Sequence, residues 1–258
     1  MIRIMTQNIR FPNPTDEGNL WQDRRDLAAE VIREEAPDVI GMQEMYREQI
    51  AFFARALPEY AVIAWDRRTD RVDEHNPLLI RRDRFMVREC GTFWLSSTPD
   101  IPGSRDWTPD DHPRIGTWAV LDEFENDCPF LVVNTHFQLG AEEIRERSAG
   151  VIAEQMAQFD MPAVLTGDFN STPDGLAYAK LIESGLDDSF EAADTDAQPV
   201  GTFHGFTGEP RSGRIDWILT RGFIAKDCRV ITTNRDGKYP ADHFAVVADM
   251  KMVDRDSR

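Results

Sequence analysis

The stretch Leu165-Thr166-Gly167-Asp168-Phe169-Asn170 is the one around which the chain is organised. It continues an apolar run that begins at Met161, and this pattern predicts a buried strand ending in a turn. Because residues two apart in a strand share a face, we expect Asp168 and Asn170 to address one small target, such as a water or a phosphoryl oxygen. A strand-to-helix turn with an ordinary Asx cap is the competing explanation.

Before this turn, the start of the chain is predicted to alternate strands with helices, and a meander of strands follows. Thr172 is predicted to cap a following helix that opens at Pro173. Near the start, Ile2 to Ile9 alternates apolar and polar residues, as a strand with one buried face does. Four helices among such strands predict an α/β (α+β) class, with two sheets packed face to face and helices outside.

Length and composition restrict the classes of protein that this chain can be. No linker, repeat or low-complexity tract divides its 258 residues, so we expect a single domain over residues 1–258. No apolar run approaches the length of a bilayer span, and we expect no membrane-spanning segment. The first strand begins at Ile2 with no leader pattern before it, which predicts a cytoplasmic protein, although a chain trimmed of its leader would look the same.

Charge bears on the class of partner. The 46 acidic and 29 basic residues give a net charge of −17, which disfavours a protein that holds long nucleic acid on a generic basic surface. A nuclease whose few arginines surround one pocket stays open. Ser96 to Arg114 is rich in proline and acids and lacks periodicity, so it is predicted to be a long surface loop, a type of segment that often carries function.

Polar side chains recur where predicted strands end. Each has an ordinary explanation on its own, because strand ends are wet and acids there are usually solvated. Together they supply oxygen ligands for a hard cation and two imidazoles for proton transfer, which is the equipment for Mg²⁺-assisted hydrolysis of a phosphate ester. The positions are Asn8, Glu44, His136, Asp168, Asn170, Asp216 and the pair Asp242-His243.

In order, these positions lie in six short motifs, and the set resembles the endonuclease/exonuclease/phosphatase superfamily of metal-dependent, deoxyribonuclease-like enzymes. The resemblance runs from Met1 to about Met250 and implies a four-layered α/β sandwich whose motifs meet at one rim of the two packed sheets. The motifs are Gln7-Asn8, Gln43-Glu44, Asn134-Thr135-His136, Gly167-Asp168-Phe169-Asn170, Arg214-Ile215-Asp216 and Asp242-His243-Phe244.

The resemblance also implies a metal site. Glu44 matches the principal Mg²⁺ ligand of the family, and Mn²⁺ is expected to substitute for Mg²⁺. Asn8 and Asp242 match the groups that complete or support the site.

The catalytic roles are implied in the same way. Asp168 and Asn170 match the residues that position the attacking water and hold the scissile phosphate. His243 matches the essential histidine, and Asp216 the acid that orients its ring, since a carboxylate on one ring nitrogen fixes the tautomer and raises the basicity of the other. His136 matches the second histidine, which is placed to hydrogen-bond a phosphate oxygen.

Further assignments rest on position alone. Glu74 is the candidate acid that pairs with His136, as a further acid does in some members of the family. Arg114 is the candidate phosphate clamp and Arg10 a second one, with surface arginines as the ordinary alternative.

The reaction class is therefore hydrolysis of a phosphomonoester or phosphodiester by in-line attack of water. The acidic composition favours a small phosphate ester, such as a lipid, sugar or nucleotide phosphate. Nuclease action on DNA or RNA is the alternative, and Trp94, Trp107 and Phe206 are candidates to stack on a base or sugar. A catalytically inactive binding protein of the same fold is a remote alternative, because such a protein would be expected to have lost one of the motif residues.

Overall fold

The computed structural model describes residues 1–70, 72–107, 112–125, 128–193 and 201–253, so part of the predicted 96–114 loop lies outside the described residues. Strands and helices alternate in the first part of the chain, and strands dominate the rest. In order, the elements are β1 (Ile2–Asn8), α1 (Trp21–Glu35), β2 (Val39–Gln43), α2 (Arg47–Ala56), β3 (Tyr60–Ile63), β4 (Leu78–Arg81), β5 (Phe85–Trp94), β6 (Ile115–Glu123), β7 (Phe130–His136), α3 (Glu142–Met156), β8 (Ala163–Asp168), α4 (Leu176–Glu183), β9 (Asp187–Asp188), α5 (Ser189–Ala192), β10 (Asp216–Arg221), β11 (Phe223–Ile231) and β12 (Ala245–Met252).

The strands form two mixed sheets of six strands each. The first sheet has the order β11-β12-β1-β2-β4-β3, and the second has the order β5-β6-β7-β8-β10-β9. Each sheet contains one parallel pair, β1 with β2 and β7 with β8, and the remaining pairs are antiparallel. The predicted architecture of two packed mixed sheets is confirmed.

Three apolar clusters hold these layers together. The central cluster lies between the sheets and includes Ile4, Phe130 and Val164. A second cluster joins α1 and α2 to the outer face of the first sheet, and a third joins α3 and α4 to the outer face of the second. Helices outside and sheets inside give the four layers, and burial of the apolar faces provides the main stabilisation.

The two parallel pairs position the polar motifs. Asn8 is opposite Gln43 at the ends of β1 and β2, and His136 is opposite Asp168 at the ends of β7 and β8. The carboxyl ends of parallel neighbours lie at the same edge of a sheet. Asp216 at the start of the antiparallel β10 is opposite Asp168 as well. Register therefore collects residues that are far apart in the sequence.

Two local predictions were wrong. Strand β1 is buried along almost its whole length instead of on one face, because Ile2 and Ile4 pack in the cluster between the sheets and Met5 packs in the cluster under α1 and α2. Strand β8 ends at Asp168, and Asn170 is left-handed with φ 48°. Asn170 reaches the Asp168 side chain through a turn, in which its backbone N–H donates to Asp168 Oδ1 at 2.9 Å, and not through strand alternation.

The helix after the organising turn also begins later than predicted. Its first residue is Leu176 and its N-cap is Gly175, because Thr172 and Pro173 belong to a preceding turn closed by the Gly175 N–H. Glu142 at the start of α3 accepts the Leu176 N–H at 2.6 Å and supplies the cap from another helix. The short elements β9 and α5 were not predicted. Among the described residues, no helix is both long and apolar enough to cross a bilayer.

Candidate active site

A cavity of about 930 Å³ opens at the rim where β1, β2, β7 and β8 end. Most of the residues predicted from the motifs line it, and Asn8 and Asp216 lie directly behind the lining. The predicted residues in the lining are Arg10, Glu44, Glu74, Arg114, His136, Asp168, Asn170, Asp242 and His243. The structure therefore brings the predicted metal-ligand, catalytic and phosphate-clamp positions together at one place.

Asn8 connects the two sheets at the base of the cavity. Its fully buried amide donates to Glu44 Oε1 and to Asp168 Oδ2, both at 3.0 Å. Its oxygen accepts the backbone N–H of Arg10 at 3.0 Å. In this orientation Asn8 supports Glu44 and does not turn an oxygen toward the cavity. Glu44 itself is left-handed, with φ 62°, a sparsely populated conformation for a residue with a side chain.

His243 and two carboxylates form the most tightly connected group. His243 Nδ1 lies 2.9 Å from Asp216 Oδ2, and its Nε2 lies 3.8 Å from Asp168 Oδ2. Burial alone would lower the pKa of His243, but the charges of Asp216 and Asp168 outweigh it and raise the pKa to about 10. Burial and the charge of Asp216 raise the pKa of Asp168 to about 7. At neutral pH the imidazole is therefore a cation beside an easily protonated acid.

His136 is held differently. Its Nε2 lies 3.1 Å from Asn170 Nδ2, and the same amide nitrogen donates to the Phe137 carbonyl at 3.0 Å. Burial, followed by the charge of Arg114, lowers the pKa of His136 well below its usual range. The ring is therefore neutral, and because Nε2 accepts from Asn170, its proton is on Nδ1.

Glu74 lies on the Nδ1 side of His136, with Oε2 at 3.9 Å. The same oxygen accepts a hydrogen bond from Arg67 at 2.7 Å, so Glu74 is shared between the histidine and an arginine. Burial raises the pKa of Glu74 to about 7. Arg67 also donates to Asp73 at 2.9 Å.

The two candidate phosphate clamps differ in their partners. Arg10 Nε is 2.9 Å from Asp16 and 3.7 Å from Asp242, so carboxylates already offset its charge. Arg114 is buried, and its Nε donates to Gln138 at 2.8 Å. Both arginines line the cavity.

The donor set fits a hard divalent cation. Asp242 Oδ1 is buried and has no hydrogen-bond partner among the described residues. Burial also raises the pKa of this carboxyl group, which means that its negative charge is poorly stabilised by its surroundings. A buried, unpartnered carboxylate oxygen is costly unless a cation approaches it. Asp168, Asp216 and His243 also present ligand atoms within 4.8 Å of one another, but the hydrogen bond between Asp216 and His243 already occupies that group.

Several cavity residues were missed because they come from irregular loops. Phe203 packs its ring 5.1 Å from the His243 ring, and Arg67 and Arg211 line the cavity. No periodicity or motif marks such positions, although Phe203 and Phe206 lie in the aromatic run 202–206. Of the aromatic residues predicted to stack on a ligand, only Phe206 lines this cavity. Trp94 is buried and donates to the Arg67 carbonyl, and Trp107 lies at a different depression.

Comparison with known proteins gives a family and several relatives. The family model of the Endonuclease/Exonuclease/phosphatase family matches residues 5–243. A protein of Acanthamoeba polyphaga mimivirus is 30% identical over 180 residues, which are 65% of this chain and 65% of that protein, so the chain spans slightly less than two thirds of this relative.

Solved structures match over almost the full length. An endonuclease/exonuclease/phosphatase family protein from Bacteroides thetaiotaomicron has 30% identity and a TM-score of 0.93, covering 99% of this chain and 96% of that one. A mannosyl-6-phosphatase from the same organism has 31% identity and a TM-score of 0.91, covering 98% and 100%. The human Nocturnin catalytic domain shares the fold, with 18% identity, a TM-score of 0.76 and coverage of 98% and 94%.

The family model covers nearly every motif predicted above, and the motif side chains meet in one cavity. The chain belongs to the endonuclease/exonuclease/phosphatase family and is a metal-dependent phosphoric ester hydrolase.

Proposed function

We propose that this protein hydrolyses the phosphomonoester of a small molecule, with a sugar phosphate as the first substrate class, by in-line attack of water in a Mg²⁺-dependent reaction. One observation carries the proposal: two groups lie at the same cavity. The first is the carboxylate pair Glu44 and Asp242, and the second is the group of Asp168, His243 and Asp216, in which His243 is hydrogen-bonded to Asp216. The 31% identity to a mannosyl-6-phosphatase over nearly both chains supports the substrate class.

Glu44 and Asp242 would hold the cation, with Asn8 keeping the Glu44 carboxylate in place through its amide. When bound, Mg²⁺, or Mn²⁺ in its stead, draws charge from a phosphate oxygen as a Lewis acid.

Asp168 and Asn170 act on the attacking water. Asp168 accepts hydrogen bonds from the Asn170 N–H and from Asn8, so its carboxylate is fixed in direction. Its pKa of about 7 suits a group that takes a proton from water near neutral pH. The Asn170 nitrogen is engaged by Phe137 and His136, which leaves its side-chain oxygen to orient the water.

His243 stabilises charge on the phosphate. With Nδ1–H donated to Asp216, Nε2–H of the imidazolium is available for a phosphate oxygen, and its positive charge offsets the charge that develops in the transition state. His136 was expected to donate to a phosphate oxygen, but its Nε2 accepts from Asn170. We therefore assign His136 to orienting Asn170, and Arg114 to holding the phosphate.

Nuclease action is the second candidate, favoured by the arginines around the cavity, which are Arg10, Arg67, Arg114 and Arg211. The net charge of −17 counts against it. An inactive binding protein is disfavoured because Glu44, Asp168, Asn170 and His243 are all present.

The experiment that tests the proposal compares release of product from a hexose phosphate, an aryl phosphomonoester, an aryl phosphodiester, and single- and double-stranded DNA, each with Mg²⁺ and with Mn²⁺. Turnover of the monoesters with DNA left intact supports the proposal. Cleavage of DNA without turnover of the monoesters overturns it and favours a nuclease.

A further inference from the structure

The loop of residues 201–213 forms one wall of the active-site cavity and carries side chains that the mechanism does not use. The backbone N–H groups of His204 and Gly205 donate to the Asp242 carbonyl at 2.9 and 3.0 Å. The Arg211 N–H donates to the Phe203 carbonyl at 2.8 Å. These bonds fix the backbone of the loop beside the catalytic histidine, and Phe203, Phe206 and Arg211 line the cavity from it.

Phe206 is held in a conformation that its side chain disfavours. Gly205 and Phe206 are successive left-handed residues, with φ 58° and 63°. Glycine adopts this region without penalty, whereas a bulky residue there is strained. The ring lines the cavity, with the buried Arg24 guanidinium 5.6 Å from its centroid. Strain of this kind persists at sites where it positions a side chain for a ligand.

Arg211 brings an unpaired positive charge to the same wall. Its guanidinium carbon lies 5.9 Å from the Phe203 ring centroid, and the Phe203 ring lies 5.1 Å from that of His243. A Cβ atom at Gly205 would approach the guanidinium carbon to 2.8 Å, so glycine leaves room for it. In the described part of the chain, no carboxylate forms an ion pair with Arg211, whereas Arg10 and Arg67 are paired with acids.

We propose that Phe206 and Arg211 form a leaving-group subsite, which selects phosphate esters whose leaving group carries a ring and a second anionic group. This inference rests on the proposed function. Guanidinium groups bind phosphate through paired hydrogen bonds, and an aromatic face packs against the flat face of a sugar or base. In a chain with 46 acids and 29 bases, an arginine that lines the same cavity as the catalytic histidine and contacts the Phe203 ring next to it is the group that a second phosphate would meet. Hexose bisphosphates and nucleoside bisphosphates share this chemistry.

The first experiment measures kcat/KM for matched pairs: glucose bisphosphate with glucose monophosphate, and adenosine bisphosphate with adenosine monophosphate. The native enzyme should prefer the bisphosphate in at least one pair. The pair that shows the preference tells whether the leaving group is a hexose phosphate or a nucleoside phosphate. Arg211→Gln should lower the ratio of bisphosphate to monophosphate about 10-fold, the usual effect of removing one charged hydrogen-bonding group. Arg55→Gln, at an exposed arginine of α2 outside the cavity, is the matched control and should leave the ratio unchanged.

The second experiment uses Phe206→Asn, because asparagine tolerates the left-handed conformation. Its melting temperature should be no lower than that of the native protein, whereas kcat/KM for the preferred bisphosphate should fall about 10-fold. Glycerol phosphate, which has no ring, should be affected less. A lower melting temperature with unchanged kcat/KM would show that Phe206 only anchors Arg24 and would overturn its part in the subsite.

The experiments distinguish a failure of the proposed subsite from a failure of the proposed function. If the native enzyme hydrolyses monophosphates and bisphosphates equally and Arg211→Gln leaves the ratio unchanged, the subsite is wrong and the proposed function stands. If the native enzyme hydrolyses no small phosphate ester, the proposed function is wrong and the subsite falls with it.

Discussion

Two halves of the cavity come from different sheets and contain different chemical groups. The oxygen half, Asn8, Glu44 and Asp242, comes from the ends of first-sheet strands and the loop before β12. The histidine half comes from the second sheet and contains His136, Asp168, Asn170 and Asp216. His243 lies beside Asp242 in the chain but hydrogen-bonds Asp216 across the cavity. The proposed cation ligands therefore come from the first sheet, whereas the proposed proton-handling groups come from the second sheet and from His243, which the first sheet supplies.

This division predicts that variants in the two halves fail differently, and Glu44→Gln should have the largest effect. Loss of the carboxylate charge removes the proposed main cation ligand, so kcat/KM should fall about 10⁴-fold. Mn²⁺ affinity, measured by paramagnetic resonance titration, should fall with it, while circular dichroism stays unchanged. Activity of the native enzyme should likewise disappear in chelator and return with Mg²⁺. Native Mn²⁺ affinity in the variant would contradict the role of the oxygen half.

His243→Ala should come next, with a loss of kcat of about 10³-fold. The variant removes the imidazolium that faces the phosphate and leaves Glu44 untouched. We therefore expect Mn²⁺ affinity to stay close to that of the native protein, which is the reverse of the Glu44→Gln result. A joint loss of activity and Mn²⁺ affinity would break the separation between the halves.

Asp216→Asn should lower kcat about 100-fold and should also change the pH dependence. The Asp216 charge is the main influence that raises the pKa of His243 to about 10. Without it the pKa falls, so His243 loses its proton at a lower pH. The basic limb of the pH–rate profile should therefore move from near pH 10 toward neutrality. If the basic limb of the variant's pH–rate profile stays at the same pH as in the native enzyme, a group other than His243 controls that limb.

The smallest effect in this series is expected at the two arginines. Arg114→Gln should raise KM about 10-fold, because the proposed role of this arginine, which lines the cavity, is to hold the phosphate. Arg10→Gln should raise KM less, because Asp16 and Asp242 already offset the Arg10 charge. The comparison of KM between these variants, with kcat as the internal control, tests whether both arginines or only Arg114 bind phosphate.

The motif residues were predictable because each lies at or beside one end of a strand whose apolar pattern is strong. Asp168 follows a buried run, and the parallel pairing of β7 with β8 then brings it beside His136. The backbone at Asn170 was not predictable by strand alternation, because a left-handed residue and an Asx-type hydrogen bond replace the strand there.

Loop residues escaped prediction for a different reason. Arg67 reaches the cavity through a hydrogen bond to nearby Glu74 in an irregular segment, and Phe203 through a ring contact with His243, far away in the sequence. No periodic pattern encodes such partners. The start of α4 was also placed too early, since its cap comes from Glu142 in another helix. Local signals therefore identified the side chains that meet in the cavity, while tertiary contacts determined how they are oriented.

The pairing of β1 with β12 has a consequence for how the enzyme is made. Ile2 is opposite Met250 in that pair, so β1 cannot complete its pairing until β12 has been synthesised. Asp242 and His243 emerge just before β12, after Glu44 and Asp168. Contacts this distant in the sequence form late in folding. A nascent chain therefore lacks a complete site until β12 has been made, and activity appears only when β1 and β12 have paired.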